Sequence, residues 1–327
     1  MSQYKRTFIH ILKGSTEMIS KRIDREKCTS CMKCEEICTN SKVIAAGADG
    51  YPEFARDMAC IYCGHCFAIC PEKAISFEFT DSGEANEKKW AGGEPIVYSD
   101  NALNEEEIKN FLFTVRSGRL YSDKPVEKEK IEKVIEAMMR ASCAGNEQNK
   151  HYYVFSGKAK VAEIEKIVKE YYHRLLQKYD SPLARKIAAY SVTKSAKSKE
   201  IPFKTLYKQN LEIISSGSFF DNSSMSYLKG ANVLIVIAYD NKSGMHKSFY
   251  KGDARIAGTY GILMAKALGL ASCWMGLLEI AAEKDKKICA ALNIASGEKI
   301  GAAFILGYSD TNWVQYPPRG PSKIVWQ

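Results

Sequence analysis

Several features that would classify a chain quickly are missing from this one. No stretch reaches the roughly 18 consecutive apolar residues of a membrane span. The opening MSQYKRTFIHILKGSTEM is basic but has neither the continuous apolar stretch nor the small-residue cleavage site of an export signal. The expectation is a soluble, cytoplasmic protein with no membrane role. Neither a Gly-x-Gly-x-x-Gly fingerprint nor a P-loop occurs, which excludes a dedicated nicotinamide-binding domain of the usual kind. The five histidines show no metal-ligand pairing. The net charge of +9 comes without any nucleic-acid-binding motif, so nucleic acid is not an expected partner. Much of that charge lies in residues 171–210, where nine Lys or Arg face only Asp180 and Glu200. A solvated helical face is the ordinary reading of such a run, and steering of an acidic protein or anionic substrate is the alternative.

Cysteine, by contrast, is concentrated. Eight of the 11 cysteines form the pattern Cys-x-x-Cys-x-x-Cys-x-x-x-Cys twice, at Cys28, Cys31, Cys34, Cys38 and at Cys60, Cys63, Cys66, Cys70, the second run followed by Pro71. This tight spacing suits iron–sulfur cubes, with the fourth cysteine of each run crossing to the other cluster. The assignment is Cys28, Cys31, Cys34 and Cys70 to one [4Fe-4S] cluster, and Cys38, Cys60, Cys63 and Cys66 to the second. Zinc and purely structural thiols are the competing readings. Zinc normally takes separated ligand pairs, and a disulfide framework belongs to secreted chains, which this does not resemble. Oxygen sensitivity of such clusters points to a reducing, anaerobic cell.

The 327 residues, 46% of them hydrophobic, suffice for a small module and a larger core-bearing domain. Residues 1–80 form the predicted two-cluster, ferredoxin-like unit, with short strands at Ile23-Asp24 and Ala74–Phe77. Residues 81–103 are polar and turn-forming, with Gly83, Gly92, Gly93 and Pro95, and read as a linker. Residues 104–327 form the second domain. Asn104 with Glu107 is a capping box opening a helix whose apolar face is Ile108, Phe111, Leu112 and Val115 and whose end falls near Ser117-Gly118. A second helix is expected from Pro125, with Ile131, Val134, Ile135 and Met138 on its face. A strand at 151–155, a helix at 159–179, a strand at 232–239, a small-residue helix at 254–268 and a strand at 299–308 follow. With no regular βαβ alternation, the class is α+β.

Three segments carry a second chemistry. Arg116-Ser117-x-Arg119 places two guanidinium forks and a hydroxyl at a turn, a plausible phosphate clamp. Ser142-x-x-Gly145-Asn146-x-Gln148 follows the second helix, and Gly269-Leu270-Ala271-Ser272-Cys273-Trp274-Met275-Gly276-Leu277 follows the small-residue helix. In order and spacing these resemble the FMN-dependent nitroreductase family, whose chains carry Arg-Arg-Ser-x-Arg, Pro-Ser-x-x-Asn-x-Gln-Pro-Trp and Gly-Leu-Gly-x-x-x-Trp-x-Gly. The resemblance runs from about residue 108 to the C-terminus. With the cysteine repeat in front, the chain resembles ferredoxin-fused members of that family. Val115, Ala141 and Asn149-Lys150 depart from the pattern, as does Thr39 where proline commonly follows a fourth cluster cysteine.

The resemblance implies an α+β domain with a central, mostly antiparallel sheet flanked by helices. It implies that Arg116, Ser117 and Arg119 hold the FMN phosphate and ribityl chain, with Ser142, Asn146 and Gln148 near the flavin. Main-chain groups of Gly276 and Leu277 should lie by flavin N5, where the chemistry is expected, and Arg319, with Lys323 as alternative, should close over the phosphate. It further implies a homodimer and a nitroaromatic or similar electron-poor acceptor. The expected activity passes electrons from reduced ferredoxin, or from NAD(P)H, through two [4Fe-4S] clusters to FMN. A non-catalytic electron-transfer or sensing module, or a reductive dehalogenase on the same scaffold, are the alternatives. Cys143, Cys273 and Cys289 are expected to be buried thiols, Phe219 and Phe220 core residues or a pocket floor, and His65 a hydrogen-bonding neighbour of a cluster.

Overall fold

The computed structural model describes residues 19–38, 43–56, 59–79, 104–179, 226–241, 246–311 and 323–327. By its contacts the chain divides into two units, the first comprising Met1–Leu103 together with Cys143–Gln148 and Ser243–Lys247. The expected linker lies outside the described residues, as do Phe219, Phe220 and most of the basic 171–210 segment.

In the first unit, strand β1 (Ile19–Ile23) pairs antiparallel with β4 (Ile75–Phe79), Ile23 opposite Ile75 and Lys21 opposite Phe77. Between them come helix α1 (Lys33–Ile37), the two-residue strands β2 (Ala45–Ala46) and β3 (Pro52–Glu53), and helix α2 (His65–Ile69). So small a unit has little apolar material for a core. Val43, Ile44 and Ile75 are buried together with the cysteines Cys34 and Cys66, so part of this core is cysteine sulfur.

The second unit starts with α3 (Glu105–Phe113), opened by a reciprocal capping box. The Asn104 side chain accepts from the Glu107 amide at 2.9 Å, while Glu107 accepts from the Asn104 amide at 3.1 Å. The helix ends four residues before the expected Ser117. Thr114 caps it, its hydroxyl donating to the Asn110 carbonyl at 2.6 Å, and the following residues leave to pair with a distant strand. Of its apolar face, Phe111 and Val115 are half-buried, Val115 against the core, while Ile108 and Leu112 are exposed. Helix α4 (Lys128–Met139) begins three residues after Pro125, because Val126 is buried in the core and the Glu127 carboxylate accepts from the Tyr308 hydroxyl at 2.6 Å. Ile131, Val134 and Met138 form its buried face.

Strand β5 (His151–Ser156), helix α5 (Lys158–Tyr179), strand β6 (Val233–Asp240), helix α6 (Tyr250–Ala267), strand β7 (Ala271–Trp274), helices α7 (Gly276–Lys284) and α8 (Lys286–Ala291), and strand β8 (Glu298–Gly307) complete the unit. The sheet runs β5-β6-β8-β7 with every pairing antiparallel. Strands β6 and β8 read as near-continuous apolar runs because both faces of the sheet are covered. Val233, Ile235 and Ile237 join the core that contains α4 and α6 residues, whereas Leu234 and Val236 join the core of α5, α7 and α8 residues. In β8 the alternation is broken by a bulge opposite Ile237/Ala238, so Ile300 falls on the same face as Ala303 and Ile305. Gly301 lies at this bulge. A Cβ there would stand 2.5 Å from the Ala254 Cβ of α6, so only glycine lets that helix lie so close to the strand.

Candidate functional site

Both cysteine runs fold into the same loop. The second and fourth residues after Cys28 are Ser30 (φ 51) and Met32 (φ 55), and those after Cys60 are Tyr62 (φ 53) and Gly64 (φ 74), all left-handed. Left-handed residues in so tight a turn aim successive N–H groups to one side, which makes a concavity suited to anionic sulfur. Each loop then enters a short helix whose second residue is the third cysteine, Cys34 in α1 and Cys66 in α2, both buried. A cavity is lined by Cys28, Cys31 and Cys34 together with Cys70 from the second run, Met32 and Pro52. Cys60 accepts from the Tyr62 amide at 3.4 Å and Cys70 from the Ala74 amide at 3.3 Å. Burial pushes the Cys66 thiol up to about 11, with the nearby Cys60, Cys63 and Cys34 adding to the rise. Among the described residues no three His, Cys, Asp or Glu side chains are grouped to hold a single metal ion. Eight thiols in two duplicated loops with inward amides are a donor set that fits two iron–sulfur cubes. His65 is exposed at the start of α2.

In the second unit, the residues after α3 are fastened to β7. Ser117 pairs in parallel with Ser272, and the Gly118 amide donates to the Ser272 carbonyl at 2.7 Å. Gly118 is buried against that strand, and a Cβ there would come within 2.9 Å of the Ala271 Cβ. Two segments separated by about half the chain are thereby joined. Arg116 is half-buried and Arg119 exposed, and neither has a hydrogen-bond or ion-pair partner among the described residues. Strand β7 runs through Trp274 to Met275, whose amide donates to the Ala303 carbonyl at 2.8 Å, and α7 opens with Gly276 and Leu277. As the first residues of a helix, these two have N–H groups with no intrahelical acceptor. The Leu277 carbonyl accepts from the Tyr172 hydroxyl at 2.7 Å, and burial pushes that phenol up to about 12, so it stays a donor through the ordinary pH range. The buried Glu279 of α7 accepts from the Ala303 amide at 3.1 Å and pairs with Arg255 at 3.0 Å, which fixes α7 to the sheet and to α6.

Of the remaining candidates, Ser142 and Gln148 are exposed. Asn146 belongs by its contacts to the first unit, where its side-chain amide donates to the carbonyls of Ile61 (3.0 Å) and Tyr62 (2.8 Å). Asn149, in place of the family proline, exchanges hydrogen bonds with the Asp240 main chain at 2.9 and 3.0 Å, clasping the end of β6. Arg319 lies outside the described residues, and Lys323 is exposed. The three cysteines outside the runs are half-buried rather than buried. Cys143 accepts from the Gln148 amide at 3.4 Å, and Cys273 and Cys289 donate to the Trp274 and Ala282 carbonyls at 3.6 and 3.4 Å. Of the basic segment, Arg174 is described and pairs with Asp285 at 2.6 Å.

Residues 114–308 match the profile of the Nitroreductase family, and residues 20–71 that of the 4Fe-4S dicluster domain. The chain belongs to the nitroreductase family. Among curated relatives, NapH of Haemophilus influenzae, a ferredoxin-type protein, is 36% identical over 69 residues, 20% of this chain and 24% of that one. A protein of Archaeoglobus fulgidus described as an NADH dehydrogenase/NAD(P)H nitroreductase is 47% identical over 49 residues, 15% of this chain and 28% of that one. The matched stretches thus span about a quarter of either relative's length. A solved nitroreductase with bound FMN from Bacteroides fragilis is similar over 68% of this chain and 98% of that one, at 17% identity and a TM-score of 0.48.

Sequence reasoning missed Tyr172, the Ser117–Ser272 pairing, and the strand and helices at 271–291. Tyr172 sits among a tyrosine pair in a long helix, and nothing in its neighbourhood signals a partner so distant in the chain. Ala271–Trp274 lies inside the Gly269–Leu277 motif, and four residues are too few for periodicity to mark a strand.

Proposed function

We propose that this nitroreductase-family chain is an iron–sulfur flavoprotein oxidoreductase. In this reading it holds two [4Fe-4S] clusters and FMN, takes electrons from a donor, reduced ferredoxin in preference to NAD(P)H, and delivers them to a nitroaromatic or similar electron-poor organic acceptor. The observation that carries the reading is the joining of the Arg116–Arg119 segment to β7, which ties a segment with two guanidiniums that have no partner among the described residues to the strand leading into the open amides of Gly276 and Leu277.

When bound, FMN supplies the conversion between single electrons and the pair an organic acceptor takes. Arg116 and Arg119 hold its phosphate through charge-assisted forks, and the Ser117 hydroxyl adds a further donor. The Gly276 and Leu277 amides, at the positive end of α7, would offer hydrogen-bond donors and a positive potential to the flavin ring. Tyr172 holds the Leu277 carbonyl, and Glu279 holds α7 itself, so those amides are positioned before any ligand arrives. Cys28, Cys31, Cys34 and Cys70 hold one cluster, and Cys38, Cys60, Cys63 and Cys66 the other. Ser142, Gln148 and Arg319 remain candidates for further flavin contacts. The exposed Ile108 and Leu112 of α3 are the surface a second copy of the chain covers in a homodimer.

Anaerobic purification followed by flavin, iron and sulfide analysis tests the cofactor set. The expected load is about eight irons and about eight acid-labile sulfides per chain with FMN. Steady-state assays with a nitroaromatic then compare reduced ferredoxin with NAD(P)H. Clusters without FMN, and no turnover with either donor, would leave an electron carrier instead.

A further inference from the structure

Segment Cys143–Gln148 lies inside the stretch that matches the nitroreductase family, yet its contacts place it in the cluster-bearing unit. There the Asn146 amide bridges two consecutive carbonyls, those of Ile61 and Tyr62, between the ligands Cys60 and Cys63. In a trans peptide the C=O and the following N–H point in opposite directions. Holding the Ile61 carbonyl outward therefore turns the Tyr62 N–H inward, and that N–H donates to the Cys60 sulfur at 3.4 Å. By the same geometry, holding the Tyr62 carbonyl sets the direction of the Cys63 N–H. The Tyr62 ring is itself held under the Lys21 ammonium, 4.3 Å from the ring centroid.

Asn146 is well anchored for this task. It is left-handed (φ 51), a conformation asparagine tolerates better than most residues, and follows the left-handed Gly145 (φ 58). Glu147 meets the His246 Nδ1 at 2.8 Å, and the Gln148 amide donates to the Cys143 sulfur. The first cysteine loop has the same backbone shape, but among the described residues no side chain donates to the carbonyls of its corresponding Thr29 and Ser30. Among the described residues the two loops thus differ in one external clamp.

We propose that Asn146 is a positioning residue for the second cysteine loop, fixing two peptide planes so that their N–H groups face the cluster sulfur and raise that cluster's reduction potential. Hydrogen bonds to cluster sulfurs stabilise the more negative, reduced state, so losing them lowers the potential. This rests on the reading that the two runs hold iron–sulfur clusters.

The test uses full-length holoprotein prepared anaerobically, with two variants. Asn146→Asp keeps the shape but removes the donors, and Asn146→Gly keeps the left-handed backbone but removes the side chain. In both, amide exchange across residues 61–64 should quicken about fivefold or more while residues 28–34 are unchanged, matching loss of a typical hydrogen bond. An EPR-monitored redox titration should show one cluster moved to more negative potential and the other unmoved. Unchanged exchange, or two unmoved potentials at full iron content, overturns the proposal. A fall in FMN affinity with exchange and potentials unchanged also overturns it, returning Asn146 to the flavin set. Wild-type protein without iron would instead refute the cluster reading itself.

Discussion

Replacing Arg116 with alanine probes the flavin reading at its most specific point. The guanidinium is half-buried and has no protein partner among the described residues, and the chain beside it is tied to Ser272 through the Ser117–Ser272 bridge and the Gly118 amide. Its removal therefore leaves no orphaned carboxylate and little packing to collapse, and the effect should fall on ligand affinity. A charge-assisted hydrogen bond contributes about 1.5–3 kcal/mol, which converts to roughly 10- to 150-fold weaker FMN binding. Arg119 is exposed, so water screens its contribution, and Arg119→Ala should cost about 1 kcal/mol or less, roughly fivefold. Flavin-fluorescence titration of deflavinated protein under anaerobic conditions measures both. Iron content serves as the control, because the cysteine loops belong to the other unit and should keep their metal. FMN affinity unchanged in both variants and in the double variant would remove the clamp from the argument. A larger loss from Arg119 than from Arg116 would show that exposure is the wrong guide to their ranking.

Cys38→Ala should deplete the cluster held by Cys60, Cys63 and Cys66 while sparing the one whose cavity is lined by Cys28, Cys31, Cys34 and Cys70, as read by EPR and iron analysis. Loss of only the latter cluster would refute the crossover. Gly301→Ala forces a Cβ to within 2.5 Å of the Ala254 Cβ and should destabilise the fold by about 1–3 kcal/mol, measured by denaturant unfolding of the loaded protein. Tyr172→Phe removes the bond to the Leu277 carbonyl, about 1 kcal/mol of stability. Because burial raises the Tyr172 pKa from 10 to about 12, the wild-type advantage should be full below pH 10 and fade as pH rises through 12. An advantage independent of pH across that window would contradict the assigned role.

The candidate cluster thiols stand out in the linear sequence because their chemistry is local: three of the four thiols of each proposed set lie within seven residues, so spacing alone brings them together. The same holds for the capping box of Asn104 and Glu107, whose groups need only one turn of helix to meet. Strands β6 and β8 were legible for another reason, since strands covered on both faces have no choice but to be apolar throughout. What pattern could not supply was the end of α3 and the start of α4. Helix propensity runs on past Phe113, but the Gly118 amide is taken by the Ser272 carbonyl in the Ser117–Ser272 bridge, and Glu127 is taken by Tyr308, partners that no local window contains.

The candidate flavin site divides in the same way. Residue types at Arg116, Ser117, Arg119, Gly276 and Leu277 came from the sequence, but their joining through β7 came only from the pairing of Ser117 with Ser272. The motif at 142–148 is the sharpest case. Its sequence signature points to flavin, whereas the fold draws Asn146 onto the Ile61 and Tyr62 carbonyls, 85 and 84 residues away in the chain. The sequence alone determined which side chains can bind sulfur clusters and phosphate, because that is a property of each group and its near neighbours. Only the tertiary structure decided which donors meet which acceptors, because a buried or half-buried hydrogen bond is satisfied by whatever partner the chain brings within 3 Å or so, however remote in sequence.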